Sequence, residues 1–239
     1  MSDPVSNRNE HLFKVIVIGR VMVGKTSFIQ CYIRGCFMEH YKATLGVDFA
    51  IKTIQWSNHE IVRLQFWDIQ GQEDVLKMTR AFYKNVAACI IMFDVTSEKS
   101  FQFCKMLKEA VDSEVWGEDG LPIPCILLAN KCDLSEWAMT KAAVDQLCSD
   151  YDFVCWKEIS VKRNEQVEES VRCLIEVVLE RSKNPLQPVQ EPALPIQKSP
   201  PWSHFVSSSQ LAFPPSFVIK LLEITVDNQD LRIVQAAIG

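Results

Sequence analysis

The octet Gly19-Arg20-Val21-Met22-Val23-Gly24-Lys25-Thr26 constrains this chain more than any other feature. It matches G-x-x-x-x-G-K-[ST], and its setting is the one that gives that pattern meaning. Before it runs Leu12-Phe13-Lys14-Val15-Ile16-Val17-Ile18, apolar enough for a buried strand; after it, Lys25–Arg34 has the spacing of a helix. A strand, a glycine-bearing loop and a helix N-terminus in that order aim backbone N–H groups and the helix dipole at phosphate. Lys25 supplies a point charge for β- and γ-phosphates, and the backbone of Val21, Met22, Val23, Gly24 and Ser27 completes the cradle. The Thr26 hydroxyl is a ligand for Mg²⁺.

Three further elements follow at fitting intervals. Asn130-Lys131-Cys132-Asp133 comes after the apolar run Pro124–Ala129, which places it at the carboxyl edge of a parallel sheet, where such folds bind ligands. A carboxylate at Asp133 can accept from guanine N1–H and the exocyclic amine. Adenine lacks that donor pair, so a site built this way discriminates by roughly 10⁴ or more. The Lys131 stem can lie along the base while Asn130 braces the loops. Asp68-Ile69-Gln70-Gly71-Gln72 ends a third apolar strand, Ile61–Trp67. Asp68 suits a water-mediated metal contact, Gly71 lets backbone approach the γ-phosphate, and Gln72 is the candidate for orienting the attacking water. Thr44 would close on Mg²⁺ only when a γ-phosphate is present.

On these residues the chain resembles the Rab proteins of the Ras superfamily, from about His11 to Ser182. It is most similar to the branch serving trans-Golgi, melanosome and lysosome-related organelle traffic. That narrower resemblance rests on His11–Val15, His40-Tyr41-Lys42-Ala43-Thr44, Gly46–Ala50, Ile61–Gln65, Trp67–Glu73 and Met78-Thr79-Arg80. It implies nucleotide contacts from His40, Tyr41 and Lys42. It also implies a last guanine loop at Ser160-Val161-Lys162, where a backbone N–H donates to the base carbonyl and Lys162 covers the ring. Phe49, Trp67 and Phe82 match the aromatic triad that Rab effectors read, although the same three rings equally suit half-buried packing. An exchange factor and an activating protein are expected at the switch loops.

The expected architecture is α/β: a mostly parallel six-stranded sheet with one antiparallel edge strand and helices on both faces. Val47–Trp56 and Ile61–Asp68, joined by Ser57-Asn58-His59-Glu60, read as a hairpin. Helices are expected near Phe101–Trp116, Met139–Asp150 and Glu165–Ser182. The domain plan is a flexible start over 1–10, a nucleotide-binding domain over 11–182, and a proline-rich linker with an atypical tail over 183–239. Within that tail Phe217–Ile224 is apolar enough to be ordered; it reads either as a partner-binding element or as unselected sequence from splicing or read-through.

A net charge of −5 with no basic run argues against nucleic acid and against a polybasic membrane anchor. Nine cysteines scattered through apolar segments, without C-x-x-C, suggest reduced, mostly buried thiols in the cytosol. The four histidines show no ligand spacing. Rab proteins normally end in prenylated cysteines, but the last cysteine here is Cys173. The expectation is a cytoplasmic protein that reaches the cytosolic face of Golgi, endosomal or lysosome-related membranes through partners.

Other departures sit near the phosphates. Val21 occupies a position where Ras-type proteins carry glycine, Gln70 replaces a small residue, and Asp74-Val75-Leu76 replaces a run that usually begins Arg-aromatic. These read either as neutral drift or as a switch that hydrolyses GTP slowly and chooses different effectors. A GTP-bound scaffold without hydrolysis and a small-molecule kinase are the rival functions.

Overall fold

The computed structural model describes residues 8–39, 47–69, 83–117 and 119–183. Their elements follow in the order β1 (Asn9–Gly19), α1 (Lys25–Arg34), β2 (Val47–Gln55), β3 (Glu60–Ile69), β4 (Val86–Asp94), α2 (Glu98–Glu114), β5 (Cys125–Asn130), α3 (Lys141–Asp150), β6 (Cys155–Ile159) and α4 (Val167–Lys183).

The sheet has the order β2-β3-β1-β4-β5-β6. Only the β2–β3 pairing is antiparallel; β1–β3, β1–β4, β4–β5 and β5–β6 are parallel. The hairpin closes through Trp56 N–H and Ser57 N–H, which both donate to the Glu60 carbonyl.

A period of two sorts each central strand between two cores. Val15, Val17, Ile90, Met92, Ile126 and Leu128 face one side, with Phe28 and Ile29 of α1 and Val171, Leu174 and Ile175 of α4. Ile16, Ile18, Cys89, Ile91, Phe93 and Leu127 face the other, with Leu107 and Val111 of α2 and Val144 of α3. Cover on both faces is why these strands read as continuous apolar runs rather than alternating ones.

The topology positions the site. β1 lies between β3 and β4, so the chain leaves its carboxyl end where the sheet's winding reverses, and a crevice opens there. Two glycines make the loop after β1 possible. A Cβ on Gly19 would sit 2.3 Å from the Met92 carbonyl oxygen, and one on Gly24 would sit 2.4 Å from Asn130 Nδ2.

Three helix boundaries differ from expectation for local reasons. α2 starts at Glu98 rather than Phe101 because Ser97 caps it, accepting from Ser100 N–H, while the polar first turn carries no apolar period; it ends at Glu114, before the extended Val115. α3 starts at Lys141 rather than Met139, with the Thr140 side chain accepting from Ala143 N–H. α4 starts at Val167 rather than Glu165, since Asn164 and Gln166 both adopt positive φ.

The thiols also need correction. Cys31, Cys89, Cys104 and Cys125 are buried, but Cys132, Cys148, Cys155 and Cys173 are half-buried and Cys36 is exposed. They sit at element ends and on helix flanks, where an apolar neighbourhood in sequence does not guarantee cover.

Candidate functional site

Unlike α2 and α3, α1 has no side-chain cap. Its N-cap is Gly24 at φ 102°, and its first turn holds no acidic residue. The first N–H groups of a helix have no intrahelical partner, so this end is arranged to receive an anion. Lys25 stands at the same place, only 6 % exposed. Its Nζ donates to the carbonyls of Gly19 at 3.0 Å and Arg20 at 2.9 Å. Burial lowers its pKa to about 8, against an opposing pull from the Asp68 carboxylate.

The Thr26 hydroxyl donates to Asp68 Oδ2 at 2.5 Å. Asp68 is the penultimate residue of β3 and is buried. A hydroxyl and a carboxylate oxygen converging beside an anion-receptive helix end fit a hard cation such as Mg²⁺, which takes few protein oxygens and completes its shell with phosphate and water.

The loops after β5 and β6 are tied to this phosphate-facing corner by one side chain. Asn130, buried at the end of β5, donates from Nδ2 to the Val23 carbonyl at 2.8 Å and accepts at Oδ1 from Val161 N–H at 3.2 Å. Asp133 is half-buried, and its Oδ1 accepts from the Ser160 hydroxyl at 2.7 Å. Ser160 is fully buried and Lys162 exposed. Lys131, at φ 67°, reaches Asp94 Oδ2 with its Nζ at 2.5 Å. Burial works to raise the Asp94 carboxyl, but Lys131 and the Thr96 N–H and hydroxyl outweigh it and hold the pKa below the usual carboxylate range.

Two residues of this corner escaped the sequence reading. Asp94 ends β4, much as Asp68 stands one residue from the end of β3, and a carboxylate at the carboxyl end of a buried parallel strand was the available signal. Asn164 donates from Nδ2 to Gly35 O at 3.0 Å, while its Oδ1 accepts from the Cys31 thiol at 3.2 Å. It thereby joins the loop after β6 to the C-cap of α1, and no sequence pattern announced it.

The predicted phosphate-loop and base-loop residues thus come together at one end of the sheet. Val21 and Met22 project outward, 52 % and 75 % exposed, with Met22 at φ 66°. Phe49 and Trp67 are half-buried and meet edge to face at 4.3 Å, with Lys14 Nζ 3.6 Å from the Trp67 ring centre. His40, Tyr41, Lys42, Thr44, Gln70, Gly71, Gln72, Asp74–Leu76 and Phe82 lie outside the described residues, as do 1–7 and the tail from 184.

A glycine-bearing loop between a buried strand and an uncapped helix, at the switch point of a mostly parallel sheet, defines a phosphate-loop fold. Comparison with known proteins agrees: the Ras family model matches residues 14–180. Ras-related protein Rab-7L1 of Homo sapiens is 49 % identical over 173 residues, 72 % of this chain and 85 % of the relative. Ras-related protein Rab-32 of Homo sapiens is 44 % identical over 177 residues, 74 % of this chain and 79 % of the relative. Ras-related protein Rab-32A of Dictyostelium discoideum is 43 % identical over 185 residues, 76 % and 84 % of the two chains. The chain belongs to the Ras family and, within it, to the Rab small GTPases. No helix among the described residues is long and apolar enough to cross a membrane.

Proposed function

We propose that this protein is a Mg²⁺-dependent guanine-nucleotide switch in vesicle and membrane traffic, and that it hydrolyses GTP slowly. The observation that carries the reading is the meeting of Thr26 and Asp68 beside the buried Lys25, with Asn130 joining that corner to the loops after β5 and β6.

Lys25 exchanges its two carbonyl partners for β- and γ-phosphate oxygens, and the uncapped start of α1 donates to the same phosphates. Mg²⁺, when bound, would supply neutralisation of the charge that develops on the phosphates. Thr26, through its hydroxyl, and Asp68, through a water, would hold that cation. Asp133, held by Ser160, accepts from guanine, Lys131 and Lys162 flank the ring, and a backbone N–H of Ser160–Lys162 donates to the base carbonyl. Thr44 and Gly71 contact the γ-phosphate only in the GTP form, which lets effectors at Phe49, Trp67 and Phe82 distinguish the two states. Partners recruited in this way bring the protein to the cytosolic face of Golgi, endosomal or lysosome-related membranes.

Catalysis of this kind is positioning plus electrostatics, and an arginine finger is worth roughly 10³–10⁵ in rate. Val21 presents a branched side chain outward from the loop. A branched side chain at this position should obstruct both the water-orienting Gln72 and an incoming finger while leaving the N–H cradle intact. The expected behaviour is firm GTP binding, very slow intrinsic turnover and weak stimulation by an activating protein. The alternative is a GTP-held scaffold with no turnover at all. Single-turnover GTP hydrolysis tests both. Val21→Gly should restore part of the rate, the gain being limited if Gln70, in place of the usual small residue, restricts the water. A wild-type rate equal to that of an ordinary Rab, or no gain in the variant, removes the steric argument; complete absence of turnover in both leaves the scaffold.

A further inference from the structure

Cys155 on β6 and Cys173 on α4 hold their sulfur atoms 3.2 Å apart, although they lie 18 positions apart in the chain. Both are half-buried. β6 is the last strand of the sheet, so Cys155 sits on an edge rather than between two neighbours. A disulfide needs sulfurs at about 2.05 Å. The two sulfurs must therefore close by about 1 Å for the bond to form.

We propose that Cys155 and Cys173 form a dithiol modification site that a peroxide converts to an intramolecular disulfide, and that this bond holds the base-facing loop shut. The atoms balance with hydrogen peroxide as oxidant. One sulfur attacks the O–O bond, becomes a sulfenic acid and releases one water. The second sulfur attacks the sulfenic sulfur, an S–S bond forms, and hydroxide leaves with a thiol proton as a second water. The sulfur pair loses two electrons and the peroxide gains them. Burial, and after it the neighbouring Cys173 thiol, push Cys155 up to about 12. Cys155 is therefore protonated at neutral pH, and the overall rate should climb with pH as thiolate forms.

The location gives the bond a consequence. β6 ends at Ile159 and leads directly into Ser160 and Val161, and α4 begins at Val167 on the far side of that loop. A bond from Cys155 to Cys173 closes the covalent ring around the whole loop, including Ser160 with its hold on Asp133, and Val161 with its bond to Asn130. On the proposed role of that loop in guanine binding, closing the ring slows its opening and so slows nucleotide release.

The test treats the full-length, GDP-loaded protein with hydrogen peroxide, quenches free thiols, and maps peptides without reduction. In parallel it follows release of a fluorescent GDP analogue before and after oxidation. A Cys155–Cys173 linked peptide that dithiothreitol reverses, together with several-fold slower release, is the expected result. Both effects should vanish in Cys173→Ala and, independently, in Cys155→Ser, so that one poorly folding variant does not decide the matter. Oxidation that appears as sulfinic acid on single cysteines, or at the exposed Cys36 with the pair still reduced, overturns the site. A linked peptide with unchanged release overturns the loop-holding role. Failure of the protein to bind the analogue at all would count against the guanine reading, whereas the peptide map would still report on the thiol pair.

Discussion

Replacing Gly24 with alanine probes whether the phosphate loop and the base-facing loops form one rigid assembly. Gly24 sits at φ 102° and ψ 23°, and a Cβ there falls 2.4 Å from Asn130 Nδ2. The left-handed backbone alone costs a side chain roughly 1–2 kcal/mol. The contact is too short to absorb, so the Asn130 amide is displaced from the Val23 carbonyl, and a buried polar group left without its partner costs about 1–3 kcal/mol. Gly24→Ala should therefore destabilise by about 2–5 kcal/mol. Asn130→Ala, which strands both Val23 O and Val161 N–H, should cost about 2–4 kcal/mol. In the double variant no amide remains for the alanine to strike, so the second change adds only the backbone cost of about 1–2 kcal/mol. Urea unfolding, followed by far-UV circular dichroism at several fixed GDP and Mg²⁺ concentrations, separates intrinsic stability from the stabilisation added by ligand. Losses that add to within about 0.5 kcal/mol would refute the coupling between the two loops.

Other consequences follow from the same corner. Burial lowers the Lys25 pKa to about 8 from the usual lysine value of 10.5, so between these limits the unfolded chain binds more protons and stability rises with pH. The gain relative to Lys25→Met should reach about 3 kcal/mol in nucleotide-free protein; a stability difference between the two that stays flat from pH 8 to 10 would contradict the burial of a charged ammonium. Thr26→Ala should weaken Mg²⁺-dependent binding of GDP and GTP alike, whereas Thr44→Ala should chiefly impair the GTP-dependent state. Titration with each nucleotide distinguishes them, and equal losses for both nucleotides at Thr44 would remove it from γ-phosphate sensing.

Legibility in the sequence tracked periodicity and glycine chemistry. The strand before Gly19 and the helix Lys25–Arg34 were readable because an unbroken apolar run and a glycine-bounded loop leave few alternatives. The hairpin was readable from its polar tetrapeptide at 57–60. β6, Cys155–Ile159, was harder to locate: it is five residues long and only its last residue is buried, so it carries no strong period. At the site, pattern alone singled out Lys25, Thr26, Asp68, Asn130 and Asp133 as candidates. It did not identify what holds them. Asp94 beside Lys131, Ser160 beside Asp133, and Asn164 between two loops are bonds of 37, 27 and 129 positions' separation. Such contacts arise from topology, which brings strand ends together, and leave no trace in local spacing. The thiol pair belongs to the same class, since its partners meet only once α4 has packed against the sheet.

Base selection tests the central claim most directly. Affinities of the magnesium-loaded protein for GDP, GTP and ATP should be measured side by side, for the wild type and for Asp133→Ala. A carboxylate oriented by Ser160 at 2.7 Å should favour both guanine nucleotides over ATP by roughly 10⁴ or more, and the alanine variant should lose most of that preference. Equal affinity for GTP and ATP in the wild type, or an unchanged preference in Asp133→Ala, would contradict the assignment of this loop to guanine.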